Sequence, residues 1–277
     1  MNEITVTNWE EAKTEFNKLV NSGLWIFRGQ SDSSWSLMTS LERWIADNSK
    51  LSTDVANDEE FIEKVFLDEF RNGAHHYLKS ILHLPQDTLE WFALMQYHGT
   101  PTRLLDFTKS PYVASFFAFE YPGEPIKSCA VWAINEMWCR TSAISIINKA
   151  HEDDQNFKKL HEYTQLSEEK YFEKIFLRDP KIPKMVFPVC SKRKNERLIV
   201  QQGLFLCPGG ANESFKEQLE NLEDSYNNVK KIILPNKFRK EVIEDLRLMN
   251  ITSTSLFPGL DGFAKSVKNF IYIKKIA

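Results

Sequence analysis

The stretch W-I-F-R-G-Q, Trp25 to Gln30, runs three apolar residues into an arginine and then a glycine. Residues 24–27 read as a buried strand, because a short apolar run bounded by a glycine on each side has strand length and too few residues for a helix. Arg28 then stands on the last rung, and Gly29 marks a bend beside it. Charged side chains are rarely buried unless something pairs with them. Arg28 is therefore a candidate for holding a ligand, and the alternative is a bridge to Asp32 or Asp106.

Outward from this strand the chain alternates helical and extended patterns. Residues 9–20 predict a helix, with Thr7 and Glu10 as a capping box and Gly23 as the stop. Phe61, Val65, Phe66 and Phe70 recur at helical spacing, and Trp91, Phe92, Leu94 and Met95 crowd a helix that ends near Gly99. Ser110 followed by Pro111 is a helix entry, leading into an apolar helix over 112–119. Residues 129–134, 185–189, 197–200, 204–207 and 229–234 have strand character. Residues 135–178 read as a polar helical insertion with charge clusters H-E-D-D and S-E-E-K. A helix is expected over 238–249, a β-like Thr/Ser-rich stretch over 251–257, and a last amphipathic helix after Gly262. With no repeat and no Pro/Gly-rich linker, the pattern predicts one α+β domain over 1–277, with helical insertions near 45–98 and 135–178.

Bulk composition narrows the function classes. The 277 residues are 42% apolar and 26% charged, as in ordinary globular proteins. The 35 basic and 38 acidic residues give a net charge of −3, which argues against a broad electrostatic grip on nucleic acid or membrane. The four cysteines, Cys129, Cys139, Cys190 and Cys207, form no C-x-x-C pair, so reduced thiols in a cytoplasmic protein are expected. There is no signal-peptide pattern, no membrane-length apolar run, no H-E-x-x-H, no P-loop, no G-x-G-x-x-G and no G-x-S-x-G. No metal site is expected. His75-His76 with Glu69 reads as a solvated helix face.

The densest polar stretch is Q-Y-H-G-T-P-T-R-L-L-D-F-T-K-S-P-Y-V-A-S-F-F, Gln96 to Phe117. It sets His98, Thr100, Thr102, Arg103, Asp106, Thr108 and Ser110 between two apolar helices. One reading pairs Asp106 with Arg103 and leaves Ser110 as a cap. The other is a site for a polar anionic ligand, with the Arg103 fork and the N-terminus of the Ser110 helix as donors.

Phe27-Arg28-Gly29, the H-G-T-P-T-R-L-L-D-F-T-K-S-P-Y-V-A-S-F-F-A block, Q-Q-G-L-F and L-F-P-G-L-D-G together resemble the FRG-domain family, across Trp25 to Gly262. A weaker resemblance is to ADP-ribosyltransferases of the Arg-Ser-Glu type. Phe27-Arg28-Gly29 is similar to their first motif, Thr108-Lys109-Ser110-Pro111 to the second, and Asn195-Glu196-Arg197-Leu198-Ile199-Val200 to the third. The second motif departs from the usual S-T-S, and the third has a single glutamate, so Gln201 or Gln202 is the alternative third residue.

The resemblance implies a split, mostly antiparallel β-sandwich with flanking helices and with NAD as substrate in the cleft. Arg28 would hold the pyrophosphate or a ribose hydroxyl. Glu196 or Gln201 would complete the catalytic set by binding the ribose 2′-hydroxyl and stabilising an oxocarbenium-like state. Phe27, Gly29, Gln30, His98, Arg103, Thr108, Ser110 and Gln202 would surround the dinucleotide, and Trp35 and Tyr97 would stack on its rings. Alternatives remain for these residues, among them His98 as a helix C-cap and Glu196 as a partner of Lys194 or Arg197. The implied activity is transfer of ADP-ribose to a protein or nucleic-acid acceptor, or to water. A non-catalytic nucleotide-binding or partner-binding module is the other reading. The basic run Lys192-Arg193-Lys194 is a candidate acceptor contact. By analogy, a toxin or antiphage role would require a neutralising antitoxin protein.

Overall fold

The computed structural model describes residues 1–48, 59–77, 84–120, 127–153, 172–177, 182–210 and 213–267. Its strands are β1 (Asn2–Thr5), β2 (Trp25–Gln30), β3 (Leu105–Thr108), β4 (Ser128–Asn135), β5 (Val186–Val189), β6 (Gly203–Pro208) and β7 (Val229–Pro235). They form a seven-stranded sheet in the order β1-β7-β4-β2-β3-β6-β5. Among the described strands only the β1–β7 pair is parallel, so the fold is α+β with a mixed, mostly antiparallel sheet and flanking helices.

The sheet is covered on both faces, which is why its central strands read as continuous apolar runs. Along β4, Cys129, Val131 and Ala133 join one core cluster, whereas Trp132 and Ile134 join the other. Helices α1 (Trp9–Ser22) and α5 (Pro111–Phe119) supply Trp9, Phe16, Val113 and Phe116 to the first face. Helices α3 (Glu59–Ala74), α4 (Thr88–Tyr97) and α6 (Glu136–Ala150) supply Leu67, Phe92, Met95, Cys139 and Ile147 to the second. Helix α2 (Ser40–Asn48) leads away from the sheet toward α3.

The expected split β-sandwich is corrected in one respect. Strands β1, β7, β4 and β2 form one well-laddered group, and β3, β6 and β5 form another. A single rung, Phe27 with Thr108, joins the two into one sheet. Just past that rung a side chain bridges the strands, as Arg28 Nη1 donates to the Asp106 carbonyl at 2.8 Å.

Several local expectations also change. Strand β2 continues through Arg28 and Gly29 to Gln30, so Arg28 is interior to the strand and not its last rung. The cap of α1 is Asn8, whose side chain accepts from the Glu11 amide, one residue on from the expected pair. Residues 197–200 are helical, within α7 (Glu196–Val200), because the Asn195 side chain caps the Leu198 amide. The helices α8 (Phe215–Glu220), α9 (Ser225–Asn228) and α10 (Arg239–Leu248) follow. The stretch 251–257 holds helix α11 (Ser253–Leu256), opened by a Thr252–Ser255 capping box, and α12 (Leu260–Val267) begins before Gly262. Of the expected 135–178 insertion, 154–171 and 178 lie outside the described residues, as do 49–58 and 78–83 of the other. Among the described residues no helix is long and apolar enough to cross a membrane.

Candidate functional site

A cavity of about 670 Å³ opens where β2 and β3 part beyond their single rung. This is within the usual range for small-molecule sites. Strand β2 contributes Phe27, Arg28, Gly29 and Gln30, and β3 contributes Asp106, Phe107 and Thr108. Gly29 is fixed by the helix behind it. A Cβ there would lie 1.9 Å from the Ala114 carbonyl oxygen and 2.6 Å from the Ala118 amide nitrogen, so only glycine lets α5 pack against β2.

The electrostatics mix both signs. Arg28, Arg43 and Arg197 line the cavity together with Asp106 and Glu120. Burial pushes the Arg28 guanidinium pKa down, with Asp106 opposing and Arg43 adding to the effect. The Arg28 Nε is buried and, among the described residues, has no hydrogen-bond partner. Buried polar atoms are ordinarily paired, so an unmet donor beside a cavity marks a place for a ligand atom or water. Arg43 Nη1 donates to the Met38 carbonyl at 2.7 Å. Asp106 Oδ2 accepts from Gln96 Nε2 at 2.8 Å. Burial raises the Glu120 pKa, and Lys265 and Arg197 oppose the shift.

The polar walls are held by hydrogen bonds. Gln30 Oε1 accepts from Trp132 Nε1 at 2.6 Å, and its Nε2 donates to the Ser36 carbonyl at 3.0 Å. Thr108 Oγ1 donates to the Gln201 carbonyl at 2.6 Å and accepts from the Ser110 amide at 3.1 Å. Gln201 Nε2 donates to the Leu256 carbonyl at 2.9 Å. Trp35, 52% exposed, also lines the cavity.

Of the residues singled out in the sequence, the cavity thus gathers Phe27, Arg28, Gly29, Gln30, Trp35, Asp106, Thr108 and Gln201. It does not gather Glu196, Gln202, His98, Arg103 or Ser110. Glu196 is exposed on the first turn of α7, because the helix turns it to solvent and turns Arg197 inward. Gln202 is exposed and takes a left-handed φ of 50° in the turn before β6. His98 is the exposed C-cap of α4. Ser110 caps α5 by accepting from the Val113 amide at 3.3 Å. Tyr97 borders a smaller pocket of about 40 Å³, which shares Asp106, Arg197 and Gln201 with the large one.

Arg103 is the clearest correction. Its partner is Glu63, and neither Asp106 nor a ligand-sized opening meets it. Nε lies 2.6 Å and Nη2 2.5 Å from Glu63 Oε2, with both side chains almost wholly buried. Nη1 reaches the carbonyls of Gly209 and Phe176 at 3.3 and 3.5 Å. Burial works against this cation, and Glu63 outweighs it by charge and hydrogen bond, so the guanidinium pKa is raised.

Sequence reading passed over Arg43 and Glu120, and weighed Asp106 and Arg197 only as partners of other charges. Glu120 carried a usable signal. It ends an apolar helix at the end where the dipole disfavours an anion. Arg43 carried none. None of the four cysteines is in a disulfide, and burial pushes the Cys129 and Cys139 thiols up to about 12, away from thiolate chemistry. Among the described residues no group of three or more His, Cys, Asp or Glu side chains is placed to hold a metal ion.

Residues 23–125 match the family model of the FRG domain. The FRG match takes in β2, β3, α5 and the cavity residues from Phe27 to Glu120, while Arg197 and Gln201 come from beyond it. No curated protein and no solved structure matches the chain.

Proposed function

We propose that this protein uses NAD as a substrate and transfers its ADP-ribosyl group to a protein or nucleic-acid acceptor from the cavity between β2 and β3. The observation that carries this reading is Arg28, an interior strand residue with an unmet Nε at a cavity of about 670 Å³ that also holds two carboxylates. A guanidinium suits the pyrophosphate of NAD. The bond between C1′ and the nicotinamide nitrogen breaks with its electron pair leaving on nicotinamide. The acceptor nucleophile then bonds to C1′ and releases its proton. The transition state is oxocarbenium-like, as in glycoside hydrolysis, and a carboxylate near C1′ lowers its energy. With Glu196 outside the cavity, Glu120 and Asp106 are the carboxylates available for that role. The Gly29 backbone permits close approach of the nicotinamide amide, and Trp35 offers a ring to stack on.

The exposed Lys192-Arg193-Lys194 run is an acceptor contact in this reading. A transferase of this kind acting as a cytoplasmic toxin or antiphage effector needs a neutralising antitoxin protein. The test is incubation with NAD labelled in the adenylate. Label on a macromolecule is expected. Free ADP-ribose alone would make the protein a glycohydrolase, and no consumption across protein and nucleic-acid acceptors would leave a non-catalytic binding module.

A further inference from the structure

The L-F-P-G-L-D-G stretch, Leu256 to Gly262, takes no direct part in the reading above, and neither does Arg197. The structure brings them together. The Arg197 guanidinium carbon lies 4.8 Å from the ring centre of Phe257 and 5.5 Å from that of Tyr97. Attraction of a guanidinium to aromatic rings acts through its charge and does not use up the donors of its N–H fork as hydrogen bonds to acceptors would. Among the described residues that fork makes no hydrogen bond and no ion pair, in contrast to the saturated fork of Arg103. Arg197 lines both the large cavity and the small pocket beside it.

The turn around Phe257 is built to hold still. Gly262 packs so closely that a Cβ on it would lie 1.8 Å from the Phe257 carbonyl oxygen. Phe117 meets the Phe257 ring edge-on at 5.9 Å. The Leu256 carbonyl anchors Gln201, at the far end of the helix that carries Arg197. A second cation, Lys265, lies 4.1 Å from the Phe257 ring centre. Glu120 is the carboxylate near both cations. Rigid aim, unused donors and an excess of positive charge are the requirements of a phosphate subsite.

We propose that Arg197, held between Tyr97 and Phe257, binds the pyrophosphate of the nucleotide in this cavity, and that Phe257 is the residue that positions it. The identity of the nucleotide rests on the NAD reading above. The phosphate chemistry does not.

The experiment is calorimetric titration of NAD and, separately, of inorganic pyrophosphate into wild-type protein and into Arg197→Gln, Phe257→Leu and Phe257→Tyr. Arg197→Gln is expected to weaken both ligands by about 10- to 100-fold, as for a lost charge-assisted hydrogen bond. Phe257→Leu is expected to weaken pyrophosphate several-fold, and Phe257→Tyr to restore it, which a merely structural role for the ring would not predict. Unchanged affinity of both ligands for Arg197→Gln overturns the proposal and leaves the NAD reading standing. Arg197-dependent binding of pyrophosphate without binding of NAD does the reverse. If wild-type protein binds neither, both are overturned. Should Arg197→Gln fail to fold, the Leu and Tyr variants at 257 decide by the same comparison.

Discussion

Arg103 and Arg28 sit in the same half of the chain, the first almost wholly buried and the second half-buried, and their surroundings differ completely. Around Arg103 a carboxylate and two carbonyls meet the guanidinium, and nothing is left for a ligand. Around Arg28 a single backbone carbonyl is met and Nε is left over. The difference teaches that residue type marks where a cation is and not what it does. The role is decided by whether a carboxylate from another element reaches it. Glu63, on α3, reaches Arg103, while the parting of β2 and β3 leaves Arg28 facing open space.

The comparison breaks most easily at the closed end. Glu63→Ala leaves Arg103 charged, buried and unpaired, and is expected to cost about 3–5 kcal/mol in denaturant unfolding. A cost under about 1 kcal/mol would mean that Arg103 is not held as described. At the open end, Gly29→Ala drives a methyl into the α5 backbone and is expected to cost about 3 kcal/mol while loosening the cavity wall. Arg28→Ala should separate the two regions most sharply. Its stability should stay within about 1 kcal/mol of wild type, because it relieves a desolvated, half-satisfied cation. If the protein turns over NAD as proposed, that turnover should fall on the order of 100-fold. An equal fall in stability and activity would place Arg28 in the same class as Arg103.

A pH measurement sharpens the closed region further. Glu59 is pushed up to about 7 by burial and by the neighbouring Glu42 and Glu63, against the pull of Arg103. The unfolded chain therefore loses this proton first, and the folded protein retains it longer. The contribution is fully present below the ordinary carboxylate pKa and declines as pH rises through about 7. Unfolding midpoints taken across that window should fall with pH, and Glu59→Gln should flatten the slope. The smallest effect is expected at Glu196→Gln. An exposed residue outside the cavity should leave stability within about 0.5 kcal/mol and leave turnover unchanged.

Much of the fold was legible where a single local pattern was long enough to speak. The apolar runs of β2, β4 and β7, the Ser110-Pro111 entry of α5 and the periodic face of α10 all stand where their residues indicate. Short elements were legible only in part: 185–189 and 204–207 stand as β5 and β6, and others were missed. Strand β1 is a four-residue edge whose partner lies at the other end of the chain, and L-D-F-T of β3 sits between turn residues that mask its alternation. In N-E-R-L-I-V the β-branched residues favour a strand, yet the Asn195 cap and one turn of backbone bonding make it helical. That one-turn winding is why the cavity receives Arg197 in place of Glu196. The same holds for I-T-S-T-S-L-F, where a capping box outweighs β propensity. For the site, Arg28, Gly29 and Thr108 were legible because a cation, a glycine and a hydroxyl interrupt otherwise apolar strands. Glu120 carried a signal at the end of its apolar helix that went unread, while Arg43 and Arg197 were not legible, since their meeting depends on packing between distant segments.

The strand order has a consequence for synthesis. Strand β2 lies between β4 and β3, β4 lies against β7, and Asn2 of β1 pairs with Lys230 of β7. A nascent chain that has emerged only to residue 125 holds β2 and β3, which share one rung, and lacks the strands that ladder β2 most fully. The β2–β4 ladder can form once residue 135 has emerged, whereas the β1–β7 pair must wait for residue 230, as in other sheets built from distant segments. Until β7 leaves the ribosome, β4 keeps one unpaired edge and β1 has no partner strand, and exposed edges of this kind favour aggregation.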